Sequence, residues 1–406
     1  MTVLVIYNPV CGDRSAKALF DDYVLPLLAE HKITPDKVIA TESSGHAGKI
    51  VADFLASAGD QQEPVSVVLG SGDGTLHELI NELNNTPTTK PLPRIHLALV
   101  PAGTANALYS SLYPPSPSDD PIQYKLKSVR AFASGAHRSV PLNLAVNVIS
   151  PPRAAPPAKA PAPQVSISAV VASTALHASI LHDSEALRAE DPTMGRFKTA
   201  AMQNITRWYY ASVKLFPRTG AGLVEVYDPT VGAFVPHEES SEDEPIVDLV
   251  GPFAYFLSTL NVDRLEPAFR ITPKAKEGSE AESGHAAALD LVLVRPMSDP
   301  TYTMDSEEAR KAFSEKTVAV LTAAYQDGGH IALRYAEDGS ITTEGDGPLV
   351  VEYVRCGGWE WDPDDTDERA HFVCADGDIL TIPASGKARC TAATPMNDKT
   401  GFALYA

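Results

Sequence analysis

The chain has 406 residues, of which 44% are hydrophobic and 21% charged, and it carries a formal net charge of −19. That length exceeds one ordinary core, so two domains are expected. The negative balance argues against nucleic acid as a partner and against electrostatic adhesion to anionic membrane. No apolar run of about 18 residues occurs, which argues against a spanning helix. The opening Met1-Thr-Val-Leu-Val-Ile-Tyr7 enters a strand-like run without a basic leader, so a cytoplasmic setting is expected. Cys11, Cys356, Cys374 and Cys390 lack the C-x-x-C spacing of a zinc site and read as free thiols.

In chain order, apolar runs at 3–7, 65–69 and 95–100 read as buried parallel strands, with 36–41 a weaker one. Helical periodicity lies between them at 16–31, 47–58, 76–84 and 105–112. This alternation predicts an α/β N-terminal domain over residues 1–136. Its doubly wound parallel sheet would bind ligands at the carboxyl ends of the strands. Over 137–406 the pattern becomes that of a mainly antiparallel, β-sandwich-like domain. Strand-like segments fall at 138–148, 165–173, 222–226, 289–295 and 349–355, and inserted helices at 183–188, 196–216 and 306–326. The Pro/Ala-rich 151–164 and the acidic 236–246 read as flexible loops, and 272–284 as a third. The apolar stripe 208–216 reads as core before it reads as a lipid-touching lid.

The unusual residues collect at strand ends: Asn8-Pro-Val-Cys-Gly12, Thr41-Glu-Ser-Ser-Gly-His-Ala47, Gly70-Ser-Gly-Asp-Gly-Thr75 and Pro101-Ala-Gly-Thr-Ala-Asn106. Glycines let backbone approach phosphate oxygens, and a following helix supplies unpaired N–H groups and a positive dipole end. Asp73 in such a nest admits three readings: a magnesium ligand, an acceptor of a hydroxyl proton, or a plain Asp-Gly turn. Thr104 can cap the next helix, and Asn106 can reach a nucleotide or orient Asp73. The spacing is neither a Walker A loop nor a dinucleotide fingerprint, and the protein-kinase motifs are missing.

In that order, Asn8-Pro9…Gly12, Thr41…His46, Ser71-Gly-Asp-Gly-Thr75…Glu78 and Pro101…Gly103-Thr104…Asn106 resemble the diacylglycerol-kinase catalytic domain family, its sphingosine kinase branch above all. The resemblance implies a lipid kinase using ATP and Mg2+, with a lipid substrate and transient peripheral membrane contact. It implies Asp73 as general base, and Asn8, Pro9, Gly12, Thr41, His46, Ser71, Gly72, Gly74, Thr75, Gly103, Thr104 and Asn106 about the nucleotide. Arg188 and Arg196, in Ser184-Glu-Ala-Leu-Arg188…Gly195-Arg196-Phe197, would meet phosphates. Asp378, in a turn similar to the family's Asp-Gly-Glu, would join the nucleotide site and, with Asp73 and Glu78, hold the metal. Ser179, Leu181 and Asp183 fall where the lipid head group is expected. Leu181 stands where sphingosine kinases carry an aspartate, which speaks against a charged amine and leaves other hydroxylated lipids open. An NAD-kinase-like enzyme of soluble substrates and a catalytically impaired nucleotide or lipid sensor are the alternatives.

Overall fold

The computed structural model describes residues 2–57, 64–87, 92–135, 139–152, 162–191, 193–276, 287–394 and 400–406. It divides into two compact units, one of Met1–Asn143, Leu265–Pro267 and Thr394–Ala406, the other of Leu144–Arg264 and Ala268–Ala393.

In the first unit the Val/Ile/Leu runs form β1 (Thr2–Tyr7), β2 (Lys37–Ala40), β3 (Val65–Ser71) and β4 (Ile95–Pro101). They pair in parallel in the order β2-β1-β3-β4. The winding therefore reverses between β1 and β3, where loops leaving the strand ends diverge and open a crevice. All seven residues of β3 are buried, as a parallel strand covered on both faces requires.

The connecting helices are α1 (Ala16–Leu19) and α2 (Leu25–Glu30), joined by a π-helical turn, then α3 (His46–Ser57), α4 (Asp73–Asn85), α5 (Ala107–Leu112), α6 (Pro121–Lys125) and α7 (Lys127–Ser134). Val3, Val5, Val68 and Val100 share one core with Phe20, Val24, Leu28, Val129 and Phe132. The alternate residues Leu4, Ile6, Val67 and Leu69, which point to the opposite face, are buried as well. Each such side chain stabilises the fold by roughly 1.5–3 kcal/mol.

Residues expected in the second domain complete this sheet. β5 (Ser139–Pro141) and the C-terminal strand Phe402–Tyr405 extend it past β4. Phe402 pairs in parallel with Ile95, and Leu404 antiparallel with Val140. The Tyr405 and Ser66 hydroxyls share a 2.7 Å hydrogen bond. The run expected at 138–148 is accordingly two strands in two sheets, β5 here and Leu144–Ser150 in the second unit.

The second unit holds two antiparallel sheets. One runs Ala233–Pro236, Glu225–Asp228, Glu352–Cys356, Leu289–Val294, Tyr255–Thr259, Val171–Thr174, Phe372–Ala375, Asp378–Thr381. The other runs Val247–Val250, Ala211–Phe216, Gly358–Pro363, Lys387–Ala393, Leu144–Ser150, Gln164–Ser168. Trp359 of the second meets Phe256 of the first edge-on at 5.3 Å, so the sheets face one another. The helices are Ala175–Leu187, Gly195–Asn204 and Glu307–Ala324.

Two further expectations change. The helix expected over 196–216 stops at Asn204, and Ala211–Phe216 is a strand whose Ala211, Val213 and Leu215 are buried and alternate with exposed Ser212 and Lys214. Its period is two, and the 208–216 stripe is core. The acidic 236–246 loop is tied down, because Ser240 is buried, accepts from the Val224 N–H at 3.0 Å and donates to the Pro245 carbonyl at 2.9 Å. Most of 151–164 and the later part of 272–284 lie outside the described residues. No helix among the described residues is long and apolar enough to cross a membrane.

Candidate functional site

Sheet register sets Tyr7 beside Gly70 and Ser71 beside Pro101, so the turns after β1, β3 and β4 leave at one level. The Asn8 N–H donates to the Gly70 carbonyl at 2.9 Å and the Ala102 N–H to the Ser71 carbonyl at 3.2 Å. A Cβ on Gly103 would lie 2.4 Å from the Gly72 Cα. One on Gly12, whose φ is +50°, would lie 2.2 Å from the Ala102 oxygen. The three turns thus interlock backbone against backbone, which only glycine permits. Asn8 Nδ2 and the Ser71 hydroxyl both donate to the Thr75 Oγ1, tying the first turn to the third.

α4 starts from Gly72 with no side-chain cap. Its first N–H groups are left to a ligand or water, with the positive dipole end behind them. Gly74 is exposed, and a Cβ there would meet nothing within 4 Å. An exposed, uncapped helix end reached over glycine backbone suits an anion.

Asp73 does something its motif did not announce. Its carboxylate accepts the Ala107 N–H at 2.6 Å and the Leu108 N–H at 3.2 Å, capping α5 from a different element. Asn106, and not Thr104, holds the N-cap position, in a left-handed conformation and without capping through its side chain. The Asn106 amide instead closes on Gly103, accepting from its N–H at 2.9 Å and donating to its carbonyl at 2.8 Å. Ser71, Asp73, Asn106 and Tyr109 help to line a cavity of about 20 Å3, room for one water.

The second turn joins the same edge. Thr41 is buried and its N–H donates to the Tyr7 carbonyl. His46 Nδ1 accepts the Glu42 N–H at 3.0 Å. Both Glu78 oxygens are engaged by this turn, one by the Ser44 hydroxyl at 2.8 Å and the other by the Gly45 N–H at 3.0 Å. The carboxylate therefore anchors a loop. Among the described residues no three or more His, Cys, Asp or Glu side chains gather as a metal cluster. Pro9 and the exposed Thr104 lie on the β1 and β4 turns.

In the second unit, Arg188 is exposed and pairs with Glu185 at 3.2 Å. Arg196 is buried and donates to the Thr193 carbonyl at 3.1 Å. Burial first, then the charge of Arg188, lowers the Arg196 pKa, so the two cations sense one another. Ser179 is buried with its hydroxyl turned to that of Tyr209, and Leu181 is half-buried.

Asp183 is committed elsewhere. One oxygen accepts from Asn204 at 2.7 Å, and the other accepts from Arg369 at 2.7 Å and meets His182 Nδ1 at 2.8 Å. Burial opposes its ionisation, but these three partners outweigh burial and hold the carboxyl down at about 2, from an ordinary 3.8. A depressed carboxyl stabilises the fold fully above its unfolded value. Asp183 should therefore contribute on the order of 2 kcal/mol at neutral pH, lost as pH falls from about 3.8 through about 2. Urea unfolding across that window should show the loss in the native protein and a flatter profile in Asp183→Asn.

Asp376-Gly377 is a two-residue hairpin turn with positive φ at both residues, the Asp-Gly pairing such turns favour, and Asp378 opens the next strand. Asp378 is exposed. The buried carboxylate is Asp376, which accepts the N–H groups of Ala169, Val170 and Val171 at 2.6, 2.9 and 2.8 Å. Nothing local in the sequence marks this role, since its partners lie some 205 residues away.

The interlocked turns all lie within residues 2–137, which match the family model described as the diacylglycerol kinase catalytic domain. The first unit carries that domain. Over much of that stretch the chain is similar to sphingosine kinases. The chain is 37% identical over 110 residues to sphingosine kinase 1 of Homo sapiens, covering 27% of each chain. It is 32% identical over 113 residues to sphingosine kinase 1 of Arabidopsis thaliana, covering 28% of this chain and 22% of that one. The matched stretch thus spans about a quarter of those relatives' length. The fold is shared more widely. The crystal structure of a diacylglycerol kinase from Bacillus anthracis str. Sterne aligns over 100% of this chain and 97% of its own, with a TM-score of 0.51 and 14% identity.

Proposed function

We propose that the chain transfers the γ-phosphate of ATP to a lipid hydroxyl. The observation that carries this reading is the uncapped start of α4, opened by Gly74 and flanked by the Asp73 carboxylate. Unpaired N–H groups there would take phosphate oxygens, with the Asn8, Pro9, Gly12, Thr41, His46 and Pro101–Asn106 backbone about the nucleotide. Phosphoryl transfer asks little covalent chemistry of a protein, so positioning and charge neutralisation dominate. Asp73 would receive the proton of the lipid hydroxyl as its oxygen attacks the γ-phosphorus in line and ADP leaves.

Arg188 and Arg196, whose charges repel one another, would be relieved by phosphate, for which their donor forks are suited. Few carboxylates would serve magnesium, which usually binds through one or two of them together with substrate phosphates. Asp73 would fill that role better than Glu78, already held by Ser44 and Gly45. Apolar Leu181, where a charged amine would need a carboxylate, favours a neutral hydroxylated head group.

Radiolabelled ATP offered with an extracted lipid mixture tests the reading, the expected result being one labelled lipid. Transfer to NAD with every lipid unlabelled would overturn it in favour of a soluble substrate. ATP binding with no acceptor labelled would leave a nucleotide sensor.

A further inference from the structure

A cavity of about 270 Å3 in the second unit, remote in sequence from the strand-end turns, is lined by Arg207, Trp208, Tyr210, Arg310, Asp367 and Arg369 among others. The arginines come from three elements: the turn between helix Gly195–Asn204 and strand Ala211–Phe216, the helix Glu307–Ala324, and the short turn Glu368–His371. Convergence of three guanidinium groups is unexpected on a chain of net charge −19, since unbalanced cations in one cavity repel one another.

Two of the three are held in place. Asp305 accepts from Arg310 Nε at 2.6 Å and from its second nitrogen at 2.5 Å, while Asp183 orients Arg369. A guanidinium offers five N–H donors, so both keep unspent ones. Arg207 is exposed and makes no ion pair or side-chain hydrogen bond among the described residues. The acid in the wall, Asp367, is spent on backbone. It accepts the N–H groups of Tyr210, Arg369 and Ala370 at 3.0, 3.2 and 3.3 Å. Asp305 is likewise held by the Tyr210 hydroxyl. The local carboxylates are therefore already engaged, two of them by Arg310 and Arg369 and one by backbone, and the donors left over belong to the arginines.

We propose that this cavity binds a phosphate group, with Arg207 closing on it and Arg310 and Arg369 as the fixed half of the site. Planar forks take phosphate oxygens two at a time, and three of them suit a tetrahedral anion. The volume sits just below the usual range for ligand pockets. It admits a small phosphate ester or a phospholipid head group, and not an acyl chain.

Calorimetric titration of the full chain at fixed ionic strength tests this with two probes: glycerol 3-phosphate, and phosphatidylcholine vesicles with and without phosphatidic acid. Binding to the soluble ester alone assigns a metabolite-type ligand, and binding only to the acidic vesicles assigns a lipid head group. In either case Arg207→Gln should weaken the interaction about tenfold or more, and Arg207→Lys less, because lysine keeps the charge and loses the fork. The melting temperature of Arg207→Gln should stay unchanged, since the side chain holds nothing in the fold. Phosphate bound equally by Arg207→Gln and the native chain would place it at α4 and overturn the proposal, as would failure of both probes to bind.

Discussion

Asp73→Asn should lower phosphate transfer to lipid by roughly 100-fold or more while ATP still binds, the usual range for removing a general base. A second loss is expected with it. The native carboxylate accepts from two successive amides at the start of α5. Asparagine offers one oxygen, and its NH2 group would oppose the other amide, so the cap weakens by about 1 kcal/mol. Single-turnover transfer, ATP titration and urea unfolding on the same variant separate the two roles. Undiminished transfer would remove Asp73 as the base. A fall in transfer matched by an equal fall in ATP affinity would mark it as a positioning residue that acts through α5.

The Gly72–Gly103 contact carries the next largest effect. In Gly103→Ala the new methyl would sit 2.4 Å from the Gly72 Cα and 2.8 Å from its nitrogen, and backbone cannot swing aside. Overpacking of this kind costs about 1–3 kcal/mol. Because the clash lies between two of the turns proposed to hold the nucleotide, displacing them by even about 1 Å should cost on the order of 100-fold in turnover. Gly74→Ala is the informative partner variant. Its methyl meets only open space and a helical alanine gains about 0.5–1 kcal/mol over glycine, so the protein should become more stable while nucleotide binding weakens. Melting temperatures and ATP affinities of the pair check this. If Gly74→Ala bound ATP as tightly as the native chain, nucleotide phosphate would not pass over that helix end.

Local chemistry made much of this legible. The runs ending at Tyr7, Ser71 and Pro101 are largely apolar, Ser66 and His96 aside, because their strands are covered on both faces, and that pattern survives without knowledge of any partner. The glycines after them carry meaning alone, since close backbone approach excludes every other residue. The same logic erred where the signal was mixed. Trp208 through Phe216 is apolar enough to read as helix, and its period of two shows only from Ala211 onward. Thr104 has the right chemistry for a cap, yet Asp73, 34 residues away from Ala107, supplies it.

What the sequence alone determined is therefore the parallel sheet of the first unit, the crowding of glycine, serine and asparagine at its strand ends, and the resemblance those turns carry. Tertiary structure decided the uses of the charged groups. It set Asp73 on α5, Glu78 on the loop after β2, Asp183 on Arg369 and Asp376 on three distant amides, and it returned Phe402–Tyr405 to the first sheet. The physical reason is one of range. Backbone conformation and burial pattern are written into neighbouring residues, whereas a carboxylate satisfies whichever donors the fold brings to it, and those donors are tens to hundreds of residues away.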